Sequence, residues 1–402
     1  MITTIPVLDD EIQYCPDLVG HAYFVEEIAR LVGYDHIPSV VPYAPAGRGL
    51  TRDQRRKRDV VRALADAGWV QVLSYPFVSA SVFDQQGIDD TDERRNALKL
   101  KNPLQEEAPY MRTSILDSLL STAQMNVARG NPSVAVMEAG VLTHPAGIEC
   151  AQAPGVGKRP SDSEIDALMK AIPHQPYHIA GVAAPAMLSA RADFPALVWD
   201  WRDAIEAVRI IADTVGLSIS VENGEYAPWH PGRCAVIKAE VACKKPAGKK
   251  KNASLTKEKE GKVLGYAGEL APRVCKAFDL PARSVAFEID LDALFEARGV
   301  DPISVTAVDT FPPAKEDLAL VVDADVPAAD VARVIKSAAG DLLEDLRLFD
   351  VYTGDQVPQG KKSLAFALRL RGDHTLKADE TARVRKKILG STKHFFGAEL
   401  RS

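Results

Sequence analysis

The first side chains with obvious chemical capacity are carboxylates. Asp17, Glu26 and Glu27 lie within PDLVGHAYFVEEIARL. Carboxylate oxygens suit Mg²⁺, which favours octahedral coordination and keeps several waters. Glu26 and Glu27 are adjacent, so on a helix they diverge by about 100°. The plainer reading is an acidic turn at a helix start, favoured by the helix dipole. His174 and His178 stand four residues apart, but Pro173 and Pro176 forbid the regular helix that would aim both at one metal. His230, in WHPGRCA, reads as a turn residue that shapes a loop or faces RNA. GVGK at 155–158 lacks the second half of a phosphate-binding loop, and G-x-S-x-G, H-E-x-x-H and G-x-G-x-x-G are absent. The sequence offers no complete catalytic constellation.

A second chemical signal is charge. The chain of 402 residues carries a net charge of −6, which excludes a general nucleic-acid coat. From Val351 to Ser402, however, eleven Lys and Arg stand against five Asp and Glu, a local net of +6. Such a field attracts phosphate even on an acidic protein; the plain alternative is a solvated face.

These residues need elements to position them. The length suits two or three domains. With 46% apolar and 26% charged residues, ordinary cores can form. No apolar run approaches the roughly 20 residues of a membrane span. The amino terminus, MITTIPVLDDE, is acidic and lacks a signal pattern. Five scattered cysteines without a C-x-x-C pair suit reduced thiols in a cytoplasm.

YFVEEIARLV has Phe24, Ile28 and Leu31 at helical spacing, with Gly33 placed to end the helix. SVVPYAPAGRG reads as a linker. DQRRKRDVVRALADAG predicts a helix with Val60, Val61 and Leu64 on one face, and a further helix is expected from Thr113. Asp200 should cap another over Trp201–Val215. VQVLSYPFVS, VAVMEAGVLTHP, CAVIKAEVA, KVLGYAGEL and SVAFEIDL read as strands, so residues 52–305 form one mixed α/β domain, mainly antiparallel. Two segments look like insertions: the lysine-rich stretch around Lys244–Lys262, and residues 153–172. After residue 306 the order is β-α-β-β-α-β, ending on HFFGAELR as a strand. This ferredoxin-like pattern predicts a four-stranded antiparallel sheet with two helices on one face and the other face free. In SLAFALRLR, Arg369 and Arg371 share the face opposite Phe366 and Leu368.

Several stretches together resemble one family, the bacterial phenylalanyl-tRNA synthetase β subunit, in its C-terminal half. FVEEIARLVGYDHIPSVVP is similar to the end of its B5 domain. LKNPLQEEAPYMRTSILDSLLSTAQMNVARG, VMEAGVL, DWRDAIEAVRIIAD, WHPGRCAVI and GYAGELAPRV resemble its class II synthetase-like core. FPPAKEDLALVVD, LLEDLRLFDVYTGDQVPQGKKSLAFALRLRGDHTL and GAELR resemble its anticodon-binding domain. The similarity covers nearly all of the chain from about residue 14. The fold class implied is α+β. Residues 1–48 would be a partial B5-like domain and linker, 49–305 a non-catalytic class II synthetase-like core, and 306–402 a ferredoxin-fold anticodon-binding domain.

The resemblance implies a β subunit of phenylalanine–tRNA ligase that pairs with a catalytic α subunit as α2β2. It would hold tRNA(Phe) during ATP-dependent attachment of phenylalanine, and itself contribute no catalytic residue. The chain reads as truncated, without the family's editing domain. Tyr352, Lys361, Lys362, Arg369 and Arg371 are the expected tRNA contacts, since exposed bases are met by aromatic and basic side chains. For Phe349, core packing is the favoured reading. The family's Mg²⁺ site maps onto Asp17, Glu26 and Glu27, but Tyr23 replaces its second Asp. The alternatives are a stand-alone tRNA-binding paralogue without a ligase role, and a non-functional remnant.

Overall fold

The structure is a computed structural model that describes residues 21–43, 46–47, 49–131, 133–144, 155, 157, 159–185, 198–240, 261–302 and 310–401. Asp17, most of the lysine-rich insertion, and Cys15, Cys150 and Cys243 lie outside the described residues. The helices are α1 (His21–Val32), α2 (Arg52–Asp66), α3 (Ser81–Gln86), α4 (Leu116–Ala128), α5 (Asp162–Lys170), α6 (Trp201–Val215), α7 (Pro272–Ala277), α8 (Leu291–Arg298), α9 (Ala328–Ala339) and α10 (Ala378–Phe396). The strands are β1 (Val70–Gln71), β2 (Phe77–Val78), β3 (Tyr110–Met111), β4 (Val134–Val141), β5 (Tyr177–Ala184), β6 (Ile219–Gly224), β7 (Trp229–Ala239), β8 (Val263–Leu270), β9 (Val285–Asp290), β10 (Ala314–Asp323), β11 (Leu343–Tyr352), β12 (Lys361–Leu370) and β13 (Glu399–Leu400).

The chain divides into two compact units. One comprises residues 1–217, 225–234 and 264–297, and the other 218–224, 235–263 and 298–402. A seven-stranded sheet runs in the order β1-β4-β5-β9-β8-β7-β6. β1 joins β4 in parallel, while β4, β5, β9 and β8 pair antiparallel.

Strand alternation sorts the core into two layers. Val134, Val136, Ala180, Val182 and Ala286 face Ile115, Leu116, Leu119 and Leu120, which the sequence assigned to a helix from Thr113. The intervening residues face the other way. There Trp69, just beyond α2, meets Phe287 of β9 edge-on at 5.0 Å and Trp199, just before α6, at 5.2 Å. Gly181 makes this possible, because a Cβ there would lie 2.3 Å from the Phe287 ring and 2.7 Å from Trp69.

The starts of α2 and α6 follow the sequence. Thr51 and Gln54 form a reciprocal cap on α2, and Asp200 accepts from the Arg202 amide on α6. α1 forms as expected, with Gly33 at φ 102° beyond it. Its apolar stripe stays exposed: Val25, Ile28 and Leu31 are 66%, 60% and 76% accessible.

Three local expectations change, and the 153–172 segment gains detail. VQVLSYPFVS yields only the two-residue strands β1 and β2 around a bend, since Pro76 removes a ladder donor. His230 belongs to β7, because the turn comes earlier, at the cis Ala227–Pro228 bond. Part of the 153–172 segment is a regular helix, α5, which Ser161 and Glu164 cap reciprocally. His394–Phe396 extend α10 instead of opening the last strand; Gly397, at φ 61°, ends the helix and leaves Glu399–Leu400 as β13.

The carboxy-terminal sheet runs in the order β11-β12-β10-β13, with each neighbouring pair antiparallel. Leu318, Leu320, Leu364, Phe366, Leu368 and Leu370 cover one face and pack with Val331 and Ile335 of α9 and Val384 and Ile388 of α10. No described helix is long and apolar enough to cross a membrane.

Candidate nucleic-acid interface

β12 supplies the open face by simple alternation. Its even-numbered residues from Leu364 to Leu370 are buried under the helices, so Ala365, Ala367 and Arg369 point outward. Directly opposite residues in an antiparallel pair share a face. The register therefore adds Lys315, Asp317 and Ala319 from β10, and Asp345, Arg347, Asp350 and Tyr352 from β11. Two register shifts on β11, between Leu343 and Asp345 and between Leu348 and Asp350, bring these residues round. Phe349 falls in the second irregularity and is 52% exposed, so it is not a core residue as its type suggested.

One end of this face is roofed, contrary to the expectation of a wholly free surface. Tyr352 of the edge strand β11 and Arg401, just past the opposite edge strand β13, meet with the guanidinium 4.7 Å from the ring centroid. Arg401 also donates to the Gln356 side chain at 2.5 Å. Gly354 lies so close to the Tyr352 hydroxyl that a Cβ there would sit 2.2 Å from it. Ser363, the register partner of Tyr352, is buried, as is Val357. A ring stacked on a guanidinium presents a flat cationic surface suited to a base.

The other expected contacts are partly engaged. Glu344 bridges Arg371 at 3.0 Å and Arg369 at 3.3 Å. The Arg371 hydrogen bond, followed by the two nearby positive charges, holds the Glu344 carboxyl below its ordinary pKa. Arg371 also donates to the Phe311 carbonyl. Lys361 lies 3.9 Å from Asp323, and Lys362 donates to the Ala324 carbonyl at 2.8 Å. Tyr352 and Arg369 thus point into the open face and Lys361 shares its side, Arg371 lies just past the strand, and Lys362, opposite the buried Val322, falls on the helix-covered side, contrary to expectation. Arg401, Arg347 and Lys315 complete the surface. Arg401 was visible only as one charge among eleven, and Arg347 depends on bulges that alternation alone does not reveal.

The seven-stranded sheet carries a buried polar network. Glu288 accepts from Ser114 Oγ, from the Ile115 amide at 3.1 Å and from His178 Nδ1 at 2.9 Å. Burial opposes the Glu288 charge, but these donors and the His178 charge outweigh it and keep its pKa below the ordinary value. Burial likewise pulls His178 down, and the bond to Glu288 overcomes that and raises it. Beside them Arg112 pairs with Glu138 at 2.6 Å, both nearly inaccessible. Burial also pushes Asp117 up to about 6, against hydrogen bonds from Gln86, Thr113 and Ser114. In this arrangement the Ser114 hydroxyl donates to a carboxylate and not to an imidazole, so it is not set up as a nucleophile.

At the other acidic candidate, Glu27 pairs with Arg30 at 2.7 Å and Glu26 accepts from the Tyr34 hydroxyl at 3.2 Å. Both described carboxylates already have partners. No group of three or more possible ligands gathers among the described residues, so they do not by themselves make a metal site. Cys234 and Cys275 are both buried.

With this geometry in place, comparison with known proteins gives a family. Residues 37–291 match the phenylalanyl tRNA synthetase beta chain CLM domain, and residues 309–401 match the ferredoxin-fold anticodon binding domain. Phenylalanine–tRNA ligase beta subunits from Streptomyces avermitilis, Thermobifida fusca and Cutibacterium acnes are 44%, 42% and 40% identical to the chain over 96% of its length. The chain spans 45%, 45% and 44% of those relatives, a little under half. Among solved structures, pyrrolysyl-tRNA synthetase from Desulfitobacterium hafniense aligns with 8% identity over 73% of this chain and 82% of that one, at a TM-score of 0.38, too slight to bear on the fold. On the two collinear matches, the chain belongs to the phenylalanyl-tRNA synthetase β-chain family.

Proposed function

We propose that the chain works as part of a phenylalanine–tRNA ligase β subunit in the cytoplasm. It pairs with a catalytic α subunit in an α2β2 assembly and holds tRNA(Phe) while the α subunit uses ATP to attach phenylalanine. The observation that carries this reading is the collinear match to both domains in one chain, at 44% identity to a relative of that name. The proposed organisation is a partial B5-like domain and linker at 1–48, a class II synthetase-like core at 49–305 and the anticodon-binding domain at 306–402. The core contributes scaffold and no reacting group. Its sheet is filled by the Glu288 and Glu138 networks, which supports that role.

Tyr352, Arg369, Arg371, Lys361 and Lys362 are the proposed tRNA contacts. The stacked Tyr352–Arg401 pair supports the first, and the outward strand face supports Arg369. Magnesium at Asp17, Glu26 and Glu27 also belongs to this proposal. The likeness of these positions to the family's site supports it, Tyr23 in place of a second Asp and the existing partners of the two glutamates weigh against it, and no step of the function passes through it. Retardation of tRNA(Phe) by the chain tests the RNA assignment. Tyr352→Ala should weaken binding by about 1–3 kcal/mol, the cost of losing one base stack. Unchanged affinity would remove Tyr352 from the interface.

A further inference from the structure

The outer face of α2 carries a feature that the anticodon-binding module does not explain. Arg55, Arg58 and Arg62 recur at i, i+3 and i+7, which places them on one stripe. With Gly49, Leu50 and Asp59 they line an open groove of about 430 Å³. Other basic residues of the helix are engaged. Arg52 and Arg56 reach Asp53 at 2.9 and 3.6 Å, and Lys57 reaches Asp292 at 3.7 Å and lies over the Tyr177 ring. By contrast, the side chains of Arg55, Arg58 and Arg62 are exposed and make no hydrogen bond or ion pair among the described residues. Three arginines against one aspartate leave the groove with a net charge of +2.

We propose that this groove is a second RNA contact, binding the sugar–phosphate backbone through Arg55, Arg58 and Arg62. Guanidinium groups bind phosphate oxygens in a forked, bidentate way, which suits arginine over lysine. Along the axis the three positions are separated by about 4.5 and 6 Å, so each can take a different phosphate of one strand. The lining favours RNA over a protein partner. Protein interface cores are depleted in charge, whereas nucleic-acid interfaces are polar and strongly basic; here Leu50 is the only apolar side chain of the six lining residues. The choice of RNA rests on the tRNA-binding reading above, and the contact carries no sequence information.

The test measures affinity against salt for the chain with tRNA(Phe) and with an unrelated RNA duplex. The variants are Arg55→Gln/Arg58→Gln/Arg62→Gln, the single Arg58→Gln, and the triple lysine variant. The triple glutamine variant should lower the slope of log affinity on log salt by about 2 for both RNAs, at about 0.7–0.9 per phosphate contact. Arg58→Gln alone should lower it by less than about 1, and the lysine variant should keep most of the slope. An unchanged slope in the folded glutamine variants would overturn the groove. So would glutamine variants that lose a co-expressed α subunit and keep the RNA slope, since the stripe would then be a protein interface. Binding of the duplex but not of tRNA(Phe), with the slope change intact, would keep the groove and remove the tRNA reading. Binding of neither RNA by the unaltered chain would remove both.

Discussion

Ser114, the Ile115 amide and His178 converge on Glu288, so removing that carboxylate strands three donors inside the sheet. Glu288→Ala should cost about 3–5 kcal/mol, the usual effect of breaking a buried ion pair from one side. Denaturant unfolding measures it, and a loss below about 1 kcal/mol would show the network to be slack. The pH dependence follows from the directions of the shifts. The raised pKa of His178 gives stability that is full below its ordinary value of 6.5 and is lost as pH rises through the higher folded value. The lowered pKa of Glu288 gives stability present above 4.5 and lost as pH falls through the lower folded value. The pair is thus worth most between those limits. Asp117 acts oppositely on the acid side: its stabilising contribution is full below its ordinary 3.8 and is lost as pH rises towards about 6. His178→Gln should therefore lower the melting temperature around pH 6 and flatten its decline above pH 6.5. An identical alkaline decline in the variant would place the titration elsewhere. None of this network was legible in the sequence, because His178 and Ser114 lie 110 and 174 residues from Glu288 and meet it only through strand pairing and helix packing.

At the scale of elements, alternation and capping were readable because each is a local rule. SLAFALRLR became β12 with its leucines buried, and Asp200 caps α6 where the sequence placed it. Strand ends, bulges and the roof over Tyr352 were not readable, because they depend on pairing across the sheet. The same long-range logic makes Gly181 critical. Gly181→Ala would push a methyl into the Phe287 and Trp69 rings and should cost about 1–3 kcal/mol by overpacking. A melting temperature equal to that of the unaltered chain would contradict the packing described. On the open sheet face, Glu344 holds Arg369 and Arg371. Glu344→Gln should free both and tighten tRNA(Phe) binding. Weaker binding in a filter or gel assay would mean that Glu344 positions the arginines for RNA.

For the whole molecule, composition and the order of elements pointed to the fold class, and collinear stretches pointed to the family. What they left open is the occupant of the apolar stripe on α1, where Val25, Ile28 and Leu31 remain exposed. If the chain works as a ligase subunit, a partner protein covers that stripe. Co-expression with the catalytic α subunit from the same genome, followed by the mass of the purified complex and its formation of Phe-tRNA, tests the central claim most directly. The expected result is a complex with the mass of an α2β2 assembly that charges tRNA(Phe). A chain that stays free of the α subunit, with no gain in charging over the α subunit alone, would contradict it.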